Sequence, residues 1–237
     1  MILMPWHPPY MRRLLERNGY GLVKVLHSYR LDLTDPALPG RLQDLIARRR
    51  TDFRIKAFIP QKLLEQAEEA RRLFNQSWAS NWGFVPVSAE EMRSLIKGFK
   101  PLLRPEYGVF IEQDDELAGF ALFVPNLFEM ISDLGPRPSL FGWLKLAWRL
   151  SRHRFTGGRV VLFGLSRQLV GSISGASVAL LLVDELVRRA SQTHVRSVEC
   201  GWILDDNYAM TSVVRWLGAK PTRRFGVFQA DLPLCIQ

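Results

Sequence analysis

Apolar and polar residues follow one another along this chain in runs short enough to be read as separate elements. Ile2 to Tyr10 reads as a strand entering a proline turn, Met11 to Asn18 as a short helix, and Gly19 to Leu33 as a strand. Leu42 to Arg50 suits a short basic helix or linker, and alternation over Phe53 to Ile59 predicts another strand. Gln61 to Asn75 is predicted helical, with Glu65, Glu68 and Glu69 placed ahead of Arg71 and Arg72. Ser88 and Glu91 have the spacing of a capping box, opening a helix that stops near Lys100 and Pro101. Tyr107 to Glu112 and Leu117 to Val124 form a predicted hairpin around Gln113 to Glu116. The run from Leu140 to Leu150 predicts a helix apolar around much of its circumference, with a basic end. Such a helix suits a lid, a membrane-surface contact or an ordinary core helix, and the wrapping favours burial over membrane docking.

The stretch from Arg159 to Ala190 organises the rest. Val160 to Phe163 is a short β-branched and aromatic run preceded by the breakers Gly157 and Gly158. Val178, Leu181, Leu182, Leu186 and Ala190 recur at helical spacing. Between them lies a loop containing Gly171, Ser172, Ser174 and Gly175. The commoner use of such a loop is a turn and cap. Its second use is an anion site, because unpaired N–H groups and the helix dipole point outward at a helix N-terminus. Downstream, Ser197 to Leu204 is a further strand, Asp205 and Asp206 are suited to cap a helix, and that helix ends at Leu217-Gly218.

Composition narrows the class. The chain of 237 residues is 47% hydrophobic and 11% aromatic, ample for a core. A net charge of +9 favours acidic partners: nucleic acid, an anionic membrane or a phosphate-rich small molecule. The basic residues cluster only at Arg48–Arg50 and Arg149–Arg159, with no nucleic-acid-binding signature, so nucleic acid and membrane are the lesser readings. Cys200 and Cys235 make neither a disulfide framework nor a metal site, and the four histidines show no ligand spacing. No metal is expected. The start of the chain lacks a signal peptide's pattern and no apolar run is long enough to span a bilayer, which reads as cytoplasmic.

The upstream hairpin, the strand–loop–helix of 159–190, the following strand and the Asn207–Gly218 segment together resemble a GCN5-related N-acetyltransferase (GNAT) domain. The resemblance runs roughly from Phe53 to Leu232. It implies an α+β fold with a mixed, mainly antiparallel sheet, splayed near its centre and flanked by helices on both faces. It also implies an acyl-CoA-dependent N-acyltransferase, with acetyl-CoA the default co-substrate and a small-molecule or peptide amine as acceptor. A bulge at Gly164, Leu165 and Ser166 would meet the thioester. Gln168, Val170, Gly171, Ser172, Ser174, Gly175 and Ala176 would cradle the pyrophosphate, and Asn207 would flank the pantetheine. The loop departs from the family pattern: Ile173 stands where a small residue is usual, and the segment is longer. The Tyr that often protonates the leaving thiolate is Val214 here. That departure supports an alternative reading, a catalytically weak acyl-CoA-binding or structural module.

Glu199 and Glu112 are the candidate bases, since a strand carboxylate beside an apolar cleft can accept a proton; a paired, structural carboxylate is the commoner case. Trp78, Asn81, Trp82 and Phe84 lie where GNAT folds border the acceptor, although Trp78 and Phe84 also suit a core.

One internal likeness remains. Gly19 and Gly218 each follow a helix, open a strand, and precede an Asp-Leu pair, at Asp32-Leu33 and Asp231-Leu232. Residues 1–50 therefore read as the tail of a preceding GNAT-like unit plus a linker, before a complete domain at 51–237, as in a two-module protein shortened at its N-terminus. They fold in place, join two copies as a homodimer, or hang as a remnant. The first case predicts that Leu22 to Leu31 pairs with a sheet.

Overall fold

The computed structural model describes residues 4–34 and 40–231. Ile2, Leu3, Leu232 and Cys235 lie outside the described residues. The helices are α1 (Tyr10–Arg17), α2 (Gly40–Arg49), α3 (Leu63–Trp78), α4 (Ala89–Phe99), α5 (Phe128–Ile131), α6 (Leu140–Arg152), α7 (Ile173–Ser191) and α8 (Tyr208–Trp216). The strands are β1 (Gly21–Asp32), β2 (Arg54–Ala57), β3 (Gly108–Gln113), β4 (Glu116–Pro125), β5 (Gly157–Leu165), β6 (Ser197–Leu204) and β7 (Lys220–Gln229). They form one sheet in the order β2-β3-β4-β5-β6-β1-β7. Every neighbouring pair is antiparallel except β5 with β6. This is the expected α+β, mainly antiparallel architecture.

Strand alternation sends side chains to two helical layers. Phe110 and Phe120, stacked with centroids 6.2 Å apart, face Leu63, Ala67, Ala70 and Leu73 of α3 and Met92 and Ile96 of α4. Val109, Ile111 and Ala121 face the opposite way, onto Val178 and Leu180–Leu182 of α7. Burying each such large side chain contributes about 1.5–3 kcal/mol. The Ser88–Glu91 capping box is formed in both directions, with Glu91 N–H donating to Ser88 Oγ at 3.1 Å and Ser88 N–H to Glu91 Oε2 at 2.8 Å. Asp114 and Asp115, at φ 51° and 63°, turn the β3–β4 hairpin.

β1 does pair with a sheet, and on both sides: its register runs against β6 from Leu26↔Leu204 to Asp32↔Ser197 and against β7 from Gly21↔Gln229 to Arg30↔Lys220. Two expectations are corrected. Gly157 and Gly158 do not break β5 but lie within it. A Cβ on Gly158 would stand 2.0 Å from the Phe123 ring, so glycine here admits a neighbouring aromatic. The α6 helix is not a buried core helix: Leu140 and Phe141 are each 83% exposed and Leu144 is 67% exposed.

Candidate acyl-transfer site

The parting at the centre of the sheet follows from one interrupted pairing. β5 and β6 are joined only from Gly157↔Ser197 to Val160↔Cys200, and beyond Val160 β5 keeps β4 alone. The parting coincides with a bulge. Val160 pairs with Phe123 and Leu162 with Leu122, so Val161 has no counterpart on β4. The bulge expected at Gly164–Ser166 therefore sits earlier in the strand. Gly164 is instead a ladder residue opposite Phe120, where a Cβ would come within 2.7 Å of that ring. The Ser166 N–H donates to Ala118 O at 2.8 Å and the Leu165 N–H to Ser77 Oγ at 3.3 Å. Trp78 Nε1 donates to Phe163 O at 3.0 Å. The end of α3 thus occupies backbone groups of β5 that β6 has relinquished.

Past β5 the chain turns back on itself. Leu169 N–H donates to Ser166 O at 2.9 Å and Ser172 N–H to Leu169 O at 3.1 Å. Gly171 is left-handed at φ +79° with open space beside it. Ser172 caps α7, its Oγ accepting from Gly175 N–H at 2.9 Å. Gly175 has an intramolecular reason to lack a side chain. A Cβ there would lie 1.9 Å from Leu169 O, so this glycine lets the loop seat against the helix. Ile173 and Ser174 open the helix, and first-turn N–H groups lack intrahelical acceptors. Gln168, Val170 and Ala176 are exposed around them.

On β6, Val198 and Cys200 pack in a core with Val183, Leu186 and Val187 of α7, so Glu199 points to the other face of the sheet. It is buried, accepting from Thr222 Oγ1 at 2.5 Å, with Arg223 Nη1 at 3.4 Å. Arg159 stands opposite Glu199 in the β5–β6 register. Its guanidinium donates to Gly201 O at 3.1 and 2.7 Å and lies 4.8 Å from the centroid of Trp202. Burial presses the Arg159 pKa down while the Glu199 charge opposes that fall. Arg159, Trp202 and Thr222 were not singled out in the sequence. A lone Arg heading an apolar strand was the available signal, but its partner is set by register.

Glu112 is not with this group. It lies at the end of β3, ion-paired with Arg54 at 2.6 Å and with Lys56. Burial alone would raise its pKa, but hydrogen bonds from Lys56 and Arg54 outweigh that and hold it below the ordinary value. A carboxylate so held is a poor proton acceptor. Trp78 and Phe84 both pack on Phe74, at 5.2 and 5.6 Å between centroids, whereas Trp82 is 48% exposed and the Asn81 N–H turns back to Trp78 O at 2.9 Å. Asn207, rather than Asp205 or Asp206, caps α8 by accepting from Met210 N–H at 3.1 Å. Asp206 instead pairs with Lys24 at 2.5 Å. Val214 is 2% exposed and packed in the core.

No family model matches the chain. It is 29% identical over 230 residues to protein YghO of Escherichia coli K12, spanning 97% of this chain and 59% of the relative. It is 28% identical over 242 residues to the bacterial ceramide synthase of Caulobacter vibrioides, spanning 98% and 60%. The chain thus covers about three fifths of the curated relatives it matches. Among solved structures it superposes on a GNAT protein of Sphaerobacter thermophilus with TM-score 0.57 at 16% identity, over 93% of this chain and 56% of that one. It also superposes on a tandem GNAT protein of clavulanic acid biosynthesis with TM-score 0.51 at 16% identity, over 96% and 60%. With the parted parallel strands, the bulge and the capped loop–helix in place, the chain has the fold of the GCN5-related N-acetyltransferases.

Proposed function

We propose that this chain carries an acyl-CoA-dependent N-acyltransferase site. The observation that carries the reading is the parting of β5 from β6 at Val160, with the capped N-terminus of α7 at the end of the same strand. A coenzyme A thioester would lay its pantetheine in the parting and its diphosphate against the Ile173 and Ser174 N–H groups, where the helix dipole adds to the hydrogen bonds. The open backbone at the Val161 bulge would polarise the thioester carbonyl, since the amide of Leu165 is already engaged. Glu199, on the face opposite α7, is the proton acceptor for the amine, with Trp82 bordering the acceptor. The relative named a ceramide synthase supports a lipid amine as acceptor, and with it a long-chain donor rather than acetyl-CoA. The unit α1–β1 is read as the tail of a preceding GNAT-like unit, supported by its likeness to α8–β7.

A second reading has its own observation. Val214 fills the core at the position where the GNAT resemblance would put a proton-donating Tyr, so no acid serves the thiolate from there. A binding module with little turnover would show this.

Calorimetric titration with coenzyme A, acetyl-CoA and a long-chain acyl-CoA tests the proposal, with Ser174→Glu as the variant. That substitution suits the first turn of a helix yet repels a diphosphate. Micromolar binding, weakened at least about tenfold by Ser174→Glu, is expected. No binding of any of the three overturns it. Binding without thiol release, across a panel of amines that includes long-chain amino alcohols, selects the second reading.

A further inference from the structure

The α6 helix wears its amphipathicity inside out. Two of its three cations fasten it to α5 and the segment after it: Arg149, on the half-buried face, donates to Asp133 and to Met130 O, and Lys145 pairs with Asp133 at 2.6 Å. Gly142, Leu146, Arg149 and His153 are the half-buried positions, marking the face toward the protein. The opposite arc carries Leu140, Phe141, Trp143 and Leu144, exposed by 83, 83, 58 and 67%. Side chains of this kind on one helical arc cost free energy in water unless something covers them.

Charge indicates what covers them. The helix contains no Asp or Glu. Where it ends, Arg104, Arg152, His153, Arg154 and His194 line a cavity of about 450 Å³. The acidic group behind it, Glu129, accepts from the Thr156 and Gly157 N–H groups and faces His153 at 3.5 Å. An apolar arc with an indole at its rim, on a helix whose C-terminal end carries a cluster of guanidinium groups, is the pairing that interfacial helices use on anionic lipid.

We infer that α6 is a membrane-docking helix: Phe141, Trp143 and Leu144 enter the acyl–headgroup boundary of an anionic bilayer while the Arg104–Arg152–Arg154 pocket takes a phospholipid phosphate. This assignment does not depend on the acyl-transfer reading, and it changes the sequence-based preference against a membrane contact. Among the described residues no helix is long and apolar enough to cross a membrane, so the contact is peripheral.

The test is sedimentation of the chain with vesicles of phosphatidylglycerol and phosphatidylcholine, against vesicles of phosphatidylcholine alone. Phe141→Glu/Leu144→Glu removes the apolar arc, Arg152→Ala/Arg154→Ala removes the phosphate pocket, and Val85→Glu, on a different exposed surface, serves as control. Circular dichroism and melting confirm that each variant folds. We expect binding to the anionic vesicles, at least about tenfold weaker for either double variant and unchanged for the control. Absence of binding to anionic vesicles overturns the inference, as does binding that survives Phe141→Glu/Leu144→Glu, which is charge attraction alone. If ultracentrifugation shows a dimer that this variant dissolves, the arc is covered by a second copy and the inference likewise fails.

Discussion

Leu26 of β1 lies directly opposite Phe225 of β7, and each stands seven residues after a left-handed glycine that ends a helix, Gly19 at φ +80° and Gly218 at φ +75°. Two helix–glycine–strand units of like sequence thus meet antiparallel at equivalent positions, which is a local two-fold relation. β1 is the inner member, bonded to β6 as well, and β7 ends the sheet. A proline already present at Pro221 fits an edge strand.

An inner strand cannot spare its ladder bonds. Leu26→Pro is expected to destabilise the chain by about 3 kcal/mol or more, measured by denaturant unfolding. The backbone amides of β1 should also exchange with solvent nearly as slowly as those of β4. Fast exchange across Leu22 to Leu31 would contradict the pairing.

Glu185, 1% exposed on α7, receives Arg188 at 2.5 Å, Arg189 at 2.8 Å and Arg50 at 3.2 Å, joining the turn that follows α2 to α7. Burial works to raise its pKa, but hydrogen bonds from Arg188 and Arg189 prevail and lower it to about 2. Because the folded value is depressed, this carboxylate stabilises the fold fully above its unfolded pKa near 4.5 and loses that contribution as pH falls toward 2. Melting temperature should drop across that window, and less so in Glu185→Gln. At neutral pH Glu185→Gln should cost about 3 kcal/mol, at the low end for a broken buried pair because Arg188 and Arg50 reach solvent.

The two loop glycines should respond differently. Gly171→Ala meets open space and carries only the left-handed backbone penalty, about 1–2 kcal/mol. Gly175→Ala forces its Cβ onto Leu169 O, so the loop must move. We expect Gly175→Ala to lower the melting temperature further and to weaken coenzyme A binding, with Gly171→Ala retaining most of both.

The two carboxylates named from the sequence should separate in function. On the proposed reading, Glu199→Gln lowers kcat about 10²-fold or more with the fold intact, as loss of a general base does. Glu112→Gln should lower stability through its Arg54 and Lys56 partners and leave kcat unchanged. Equal loss of kcat in both variants would remove Glu199 from the role of base.

What the sequence determined by itself was local. Strand and helix positions, the Ser88 cap, the hairpin and the α8–β7 likeness to α1–β1 all follow from interactions within a few residues, which periodicity and turn chemistry encode. The same patterns suggested the superfamily fold. Tertiary structure decided what depends on register and on neighbours distant in sequence. The bulge fell at Val161 rather than Gly164 because β6 leaves at Val160 and α3 sends Ser77 and Trp78 to the freed backbone. Arg159 met Glu199 only through the parallel β5–β6 pairing. The sequence showed α6 as apolar around much of its circumference and pointed to burial, whereas its Asp133 anchor and the exposure of Leu140, Phe141 and Leu144 show an apolar arc turned outward. A helix pattern states which side chains share a face, whereas contacts from elsewhere in the chain decide which face meets water.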